Sequence, residues 1–189
     1  MPAKPKHPRA AALAVARELC AELRPVTERL IVAGSLRRRK PLVGDVEILY
    51  IPRYIPGATT DMFAPADPVN AVDAALAALL AAGRLKKRLT VKGSATWGRH
   101  NKYAIHTASG IPVDFFAATE ANWFNYLVCR TGGAENNTFV AGAALKLGLR
   151  WNPYGPGFID GEGNDIPVTS EADVYRIAGL PWREPWERP

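Results

Sequence analysis

Leu30-Ile31-Val32-Ala33-Gly34-Ser35-Leu36-Arg37-Arg38-Arg39-Lys40-Pro41-Leu42-Val43-Gly44-Asp45-Val46-Glu47-Ile48-Leu49-Tyr50 is the stretch on which the reading of this chain turns. It predicts a buried strand, a Gly-Ser turn, a short basic segment and a second strand carrying two acids. Side chains alternate across a sheet, so Asp45 and Glu47 share one face while Val46 and Ile48 point into the core. Two carboxylates side by side on a rigid strand repel each other and need a cation to stay ionised.

The turn before the acids suits an anion. Gly34 lets backbone approach a ligand closely, and Ser35 adds a hydroxyl beside it. A helix starting there would offer free N–H groups. Arg37, Arg38, Arg39 and Lys40 place positive charge nearby. A pair of Mg²⁺ ions on the acids is the usual solution when such a turn holds a nucleoside triphosphate.

The bulk properties are those of a soluble globular protein. The chain has 189 residues, 48% hydrophobic and 22% charged, enough for one compact unit or two small domains. The net charge of +6 is unevenly spread: residues 1–118 hold 18 Lys/Arg against 9 Asp/Glu, and residues 119–189 hold 6 against 9. A basic first part fits a polyanion docking there. Cys20 and Cys129 have neither metal-ligand spacing nor the pattern of a disulfide framework, which points to a reducing compartment, most simply the cytoplasm. The basic start lacks a signal-peptide core, and the apolar run Ala74 to Ala82 is too short to span a bilayer, so no membrane role is expected.

Taken in order, residues 9–23 read as a helix with Leu13, Ala16, Leu19, Cys20 and Leu23 on one face, ended by Pro25. A loop is expected over 53–70 and an Ala/Leu-rich helix over 69–82, stopped by Gly83. Residues 84–92 read as a basic strand, either a solvated edge or a contact for a phosphate backbone; Lys92, Arg99, His100 and Lys102 extend the patch. Residues 103–107 and 111–117 form a hairpin around Ser109-Gly110. Its second strand holds Asp114 among Val113, Phe115 and Phe116, a costly place for a carboxylate unless a cation or strong donors meet it. Asp114 is therefore the third candidate metal ligand.

After Thr119 the composition changes. Helices are expected over 120–129 and 134–147, short strands near 149–151, 158–159 and 166–168, and a last helix opened by Ser170-Glu171-Ala172-Asp173. The expected architecture is α/β: a unit of residues 1–118 with a small mixed sheet and flanking helices, then a small α+β unit of residues 119–189.

With the three acids placed, the chain resembles the DNA polymerase X family, the polymerase β-like nucleotidyltransferases. The resemblance runs through Gly34-Ser35-Leu36-Arg37-Arg38, Gly44-Asp45-Val46-Glu47, Val113-Asp114, Thr131-Gly132 and Asn136-Asn137. It continues in Leu147-Gly148-Leu149, Asn152-Pro153-Tyr154-Gly155, and Asp173-Val174-Tyr175 through Gly179-Leu180-Pro181-Trp182-Arg183-Glu184-Pro185. It implies a minimal palm-plus-thumb form, known from some viruses, with palm 1–118 and thumb 119–189. The implied activity is addition of dNTPs to a primer 3′-hydroxyl by two Mg²⁺ ions, with Mn²⁺ able to substitute, in gapped or primer-template DNA during repair. The protein is expected to be monomeric, in the cytoplasm or acting as a viral protein in a host cell.

By the same resemblance, Asp45, Glu47 and Asp114 hold the metals, with Asp114 nearest the 3′-hydroxyl. Gly34, Ser35, Arg38 and Gly44 match phosphate-contacting positions, Cys129, Thr131 and Gly132 the sugar, and Asn137 the base edge. Lys92, Arg99 and Lys102 are the candidate DNA contacts. Three positions depart from the pattern. Glu47 replaces Asp, which implies altered metal geometry. Cys129-Arg130 replaces an aromatic pair that helps exclude ribose, and Phe116 stands where relatives often have an Arg that responds to thumb closure. Template-independent terminal transfer, or nucleic-acid binding with weakened catalysis, are the alternatives.

Overall fold

A computed structural model describes residues 5–57, 67–90 and 93–189. The strands are β1 (His7–Pro8), β2 (Thr27–Val32), β3 (Leu42–Val43), β4 (Val46–Pro52), β5 (Tyr54–Pro56), β6 (Pro68–Asn70), β7 (Leu85–Lys87), β8 (Asn101–His106), β9 (Pro112–Ala117), β10 (Arg150–Trp151), β11 (Gly157–Ile159) and β12 (Asp165–Pro167). The helices are α1 (Arg9–Leu23), α2 (Gly34–Arg37), α3 (Ala71–Ala81), α4 (Trp123–Thr131), α5 (Ala134–Lys146) and α6 (Glu171–Ile177). None of them is long and apolar enough to cross a membrane.

The five-stranded sheet has the order β2-β4-β9-β8-β7. Only β4 and β9 pair in parallel; the other neighbours are antiparallel. This central pair is buried on both faces, which accounts for the apolar run Ile48-Leu49-Tyr50-Ile51. Val46, Ile48 and Tyr50, with Val113 and Phe115, pack into a core beneath α1 and α3. Leu49, Ile51 and Phe116 face the other way, into a second core filled by α4 and by Val140, Trp151, Phe158 and Val174. The C-terminal half thus lies on the face of the sheet that carries the acids.

The helices form where the apolar spacing requires them. Ala12, Val15, Ala16, Leu19, Cys20 and Leu23 make one buried stripe on α1. Asn70 caps α3 through its side chain, and Ser170 caps α6 by accepting from the Asp173 N–H. Three local expectations differ. Among the described residues the basic strand shrinks to Leu85–Lys87; beyond it Arg88 N–H still donates to the Tyr103 carbonyl (2.9 Å), and Leu89 bridges Ala95 as the chain turns back on itself. Within the expected loop 53–70, β5 pairs with β6. The helix expected over 120–129 begins as a 3₁₀ turn and runs on to Thr131.

A buried ion group ties the two halves together. Arg37 Nη1 donates to Glu171 Oε2 (2.8 Å) and to Thr131 Oγ1 (2.8 Å), and Arg188 Nη1 donates to the same Glu171 oxygen (2.8 Å). Arg188 is fully buried. Burial pushes the Glu171 carboxyl up, but the two guanidinium groups outweigh it and hold it below its usual range. Removing one partner from such a group leaves buried charge uncompensated. Glu171→Ala is therefore expected to lower the unfolding free energy by about 3–5 kcal/mol, read from the midpoint of urea denaturation at unchanged m-value.

Candidate active site

The register of β4 against β9 assembles the acids: Glu47 lies directly opposite Asp114, and Val46 opposite Val113. Asp45 precedes β4 by one residue and lies two positions from Glu47. Neighbouring strands are about 4.8 Å apart, so the carboxylates crowd. Burial, then the charges of Asp45 and Asp114, raise the Glu47 carboxyl to about 8; Arg130 and Arg38 pull the other way. Gly34 meets this carboxylate. Its φ of +60° is the left-handed conformation, and a Cβ there would run into Glu47 Oε2, so the backbone of α2 closes directly on the acid.

Asp114 is buried and met by a cation, as its apolar setting demands. Arg88 Nη2 lies 2.8 Å from Asp114 Oδ1, and the Arg88 guanidinium stands over the Tyr103 ring at 4.8 Å. Arg88 and Asp45 also line a cavity of about 240 Å³ with Gly44, Pro112 and Pro5. By chemistry the three hard carboxylates are oxygen donors of the kind a divalent cation takes. Among the described residues no three such groups are gathered closely enough to clasp an ion. Asp114 is paired with Arg88 instead.

The residues expected at the nucleotide are only partly available. Ser35 and Gly44 are half-buried beside the acids. Arg38 donates through Nη1 to the Thr131 carbonyl (2.6 Å); its Nε is buried without a partner, and burial lowers its pKa against the charges of Glu47 and Asp45. Thr131 is buried, its hydroxyl and carbonyl taken by Arg37 and Arg38. Gly132 sits so close to Asn136 and Asn137 that a Cβ would lie 2.5 Å from Asn136 Nδ2. Asn137 donates to the Cys129 carbonyl (2.9 Å), and its Oδ1 is a buried acceptor without a partner. Cys129 itself is buried, and burial pushes its thiol up.

Several expected contacts need correction. Lys102 is 3% exposed, with its ammonium on Asp73 (2.8 Å) and the Gly98 carbonyl (2.8 Å), so it offers no charge to DNA at the surface. Arg37 is turned to Glu171 rather than towards the acids, and Arg39 stacks on Trp186 at 3.9 Å. Arg99 is exposed, and Lys92 lies outside the described residues.

Residues 126–189 match the family model for the DNA polymerase beta thumb. The fold is similar to that of Leishmania infantum polymerase beta, solved as a ternary P/T complex, with a TM-score of 0.72 and 18% identity. The match covers 98% of this chain and 77% of that one. The fold is polymerase β-like. No curated protein matches its sequence.

Arg88 and Arg130 act on the acids, yet the sequence alone places neither there. Arg88 is hidden within a basic run, and Arg130 was noted only as a departure beside Thr131-Gly132. The raised Glu47 carboxyl also sets a pH dependence. In the fold it keeps its proton up to about pH 8, whereas in the unfolded chain it titrates near the ordinary glutamate value of 4.5. The folded state then holds more protons between these values, so stability falls as pH rises through them. In EDTA, the melting temperature is expected to drop from pH 5.5 to pH 8.5, and Glu47→Gln is expected to flatten most of that slope.

Proposed function

We propose that the chain is a metal-dependent DNA polymerase of family X type, adding dNTPs to a primer 3′-hydroxyl in short gaps during DNA repair. The observation that carries this is the parallel register that sets Glu47 beside Asp114, with Asp45 two positions away. A thumb of the polymerase β type covers the same face of the sheet. The similar Leishmania protein was solved as a ternary P/T complex, and we carry that DNA partner over to the basic first part of this chain.

Asp45, Glu47 and Asp114 hold two Mg²⁺ ions in this reading, with Mn²⁺ able to substitute. When bound there, the ions neutralise the triphosphate and lower the pKa of the attacking hydroxyl. The chain's own residues do the rest. Asp114, released from Arg88, orients the primer hydroxyl and accepts its hydrogen bond. The Ser35 hydroxyl, the Gly44 backbone and the free edge of Arg38 donate to phosphate oxygens. Thr131-Gly132 supports the sugar, fixed by Arg37 and Arg38. Asn137 presents its unpartnered Oδ1 towards the base edge. The thumb, packed on Leu49, Ile51 and Phe116, excludes water behind the acids.

The test is insertion on a one-nucleotide-gapped DNA, with each dNTP supplied separately in Mg²⁺. Insertion mainly of the complementary nucleotide is expected, and Asp114→Asn should slow it by about a thousandfold, roughly 4 kcal/mol of barrier. Indiscriminate extension of a lone strand would replace this reading with terminal transfer. No extension with Mg²⁺ or Mn²⁺ on either substrate would refute polymerase activity and leave nucleic-acid binding.

A further inference from the structure

Two of the positions at which the chain departs from the family it resembles, Phe116 and Arg130, are in contact. The Arg130 guanidinium lies 3.8 Å from the centre of the Phe116 ring, 5.0 Å from Tyr126 and 5.6 Å from Tyr154. Its Nη2 donates to the Tyr126 hydroxyl at 3.3 Å. The three rings come from β9, from α4 and from the turn after β10, so the cage spans palm and thumb. A planar cation among aromatic faces is held by ring electrostatics and stacking, more strongly where water is excluded.

The cage fixes the charge close to the acids. Phe116 is two residues beyond Asp114 on β9 and pairs with Leu49, two residues beyond Glu47 on β4. Two strand residues span about 6.6 Å, so Arg130 stands over the row next to the carboxylates. Its hydrogen bond goes to a neutral phenol rather than a carboxylate, and its Nε is buried without a partner. It therefore remains a net positive charge, and its field reaches Glu47. Such a charge repels a free divalent cation from the acids and attracts a polyanion.

We propose that Arg130 is a specificity-determining residue that makes metal loading conditional on the nucleotide: a bare divalent cation is held weakly, whereas a cation accompanied by a triphosphate is held well. This rests on the acid site being a metal site, as proposed above. The aromatic cage serves to keep the charge at this distance, too far for a salt bridge that would cancel it. Phe116 on the acid-bearing strand and Tyr154 in the thumb hold it from both sides.

The experiment measures binding of Mn²⁺ to the full chain without DNA, by electron paramagnetic resonance of free Mn²⁺, with and without dTTP. Arg130→Met and Arg130→Gln remove the charge at similar length; Arg130→Lys keeps charge but not the planar stack. Wild type is expected to bind Mn²⁺ alone weakly and to gain affinity with dTTP. Either neutral variant should bind Mn²⁺ alone about tenfold more tightly or better, the lower end of what a unit charge exerts on a divalent ion one row away. Its gain from dTTP should shrink in parallel, and Arg130→Lys should behave as wild type. The proposal is overturned if the neutral variants bind Mn²⁺ as wild type does, or if Lys behaves as Met, which would make the cage a packing contact only. Asp45→Asn separates the two levels: if it leaves Mn²⁺ binding unchanged, the acid site is not the metal site and the underlying reading fails first.

Discussion

Asp45, Glu47 and Asp114 are kept together by backbone pairing against their own mutual repulsion. The parallel ladder of β4 and β9 fixes Glu47 opposite Asp114, and no side chain can relax that register without moving every residue of both strands. The surroundings answer the resulting field with cations at graded distances. Arg88 makes direct contact with Asp114, while Arg38 and Arg130 act on Glu47 through space. Gly34 completes the arrangement by leaving room for the longer Glu47 side chain, which reaches to the backbone at the start of α2.

The same sheet separates two tasks. Its α1 and α3 face is an apolar core whose role is to hold β4 and β9 straight. Its other face changes along the strands, from carboxylates at the start to Leu49, Ile51 and Phe116 further on, and the C-terminal half packs on that apolar part. The acids and the packing of the C-terminal part therefore share one face of the sheet. The Arg37–Glu171–Arg188 group fastens the far side, so α2 is anchored both through its glycine to the acids and through its arginine to α6.

Much of this was legible in the sequence. Alternation in Gly44 to Tyr50 placed both acids on one face, and an isolated Asp114 in an apolar strand announced a cation partner. Helix limits followed from apolar stripes and caps, as in α1 and α6. What stayed hidden is the direction of long cationic side chains. Arg37, Arg38 and Arg39 are consecutive in the sequence, yet their guanidinium groups go to Glu171, to the Thr131 carbonyl and to Trp186. Lys102 reads like its basic neighbours, but the β8 pleat turns it inward to Asp73. A basic run shows how much charge is present and nothing about what has already claimed it. The short pairings of β1 with β3 and β5 with β6 were missed because two or three residues carry no measurable period.

The Arg37–Glu171 pair closes a loop of 134 residues. A ribosome adds about 5–20 residues per second, so Arg37 emerges many seconds before its partner exists. During that interval α4, which follows β9 closely, can cover Leu49, Ile51 and Phe116, but the share of that core contributed by Trp151, Phe158 and Val174 is still missing. Contacts this distant in sequence also slow the search for the final fold. The incomplete second core is thus the aggregation-exposed stage of the nascent chain, and it is completed only when Val174 of α6 arrives.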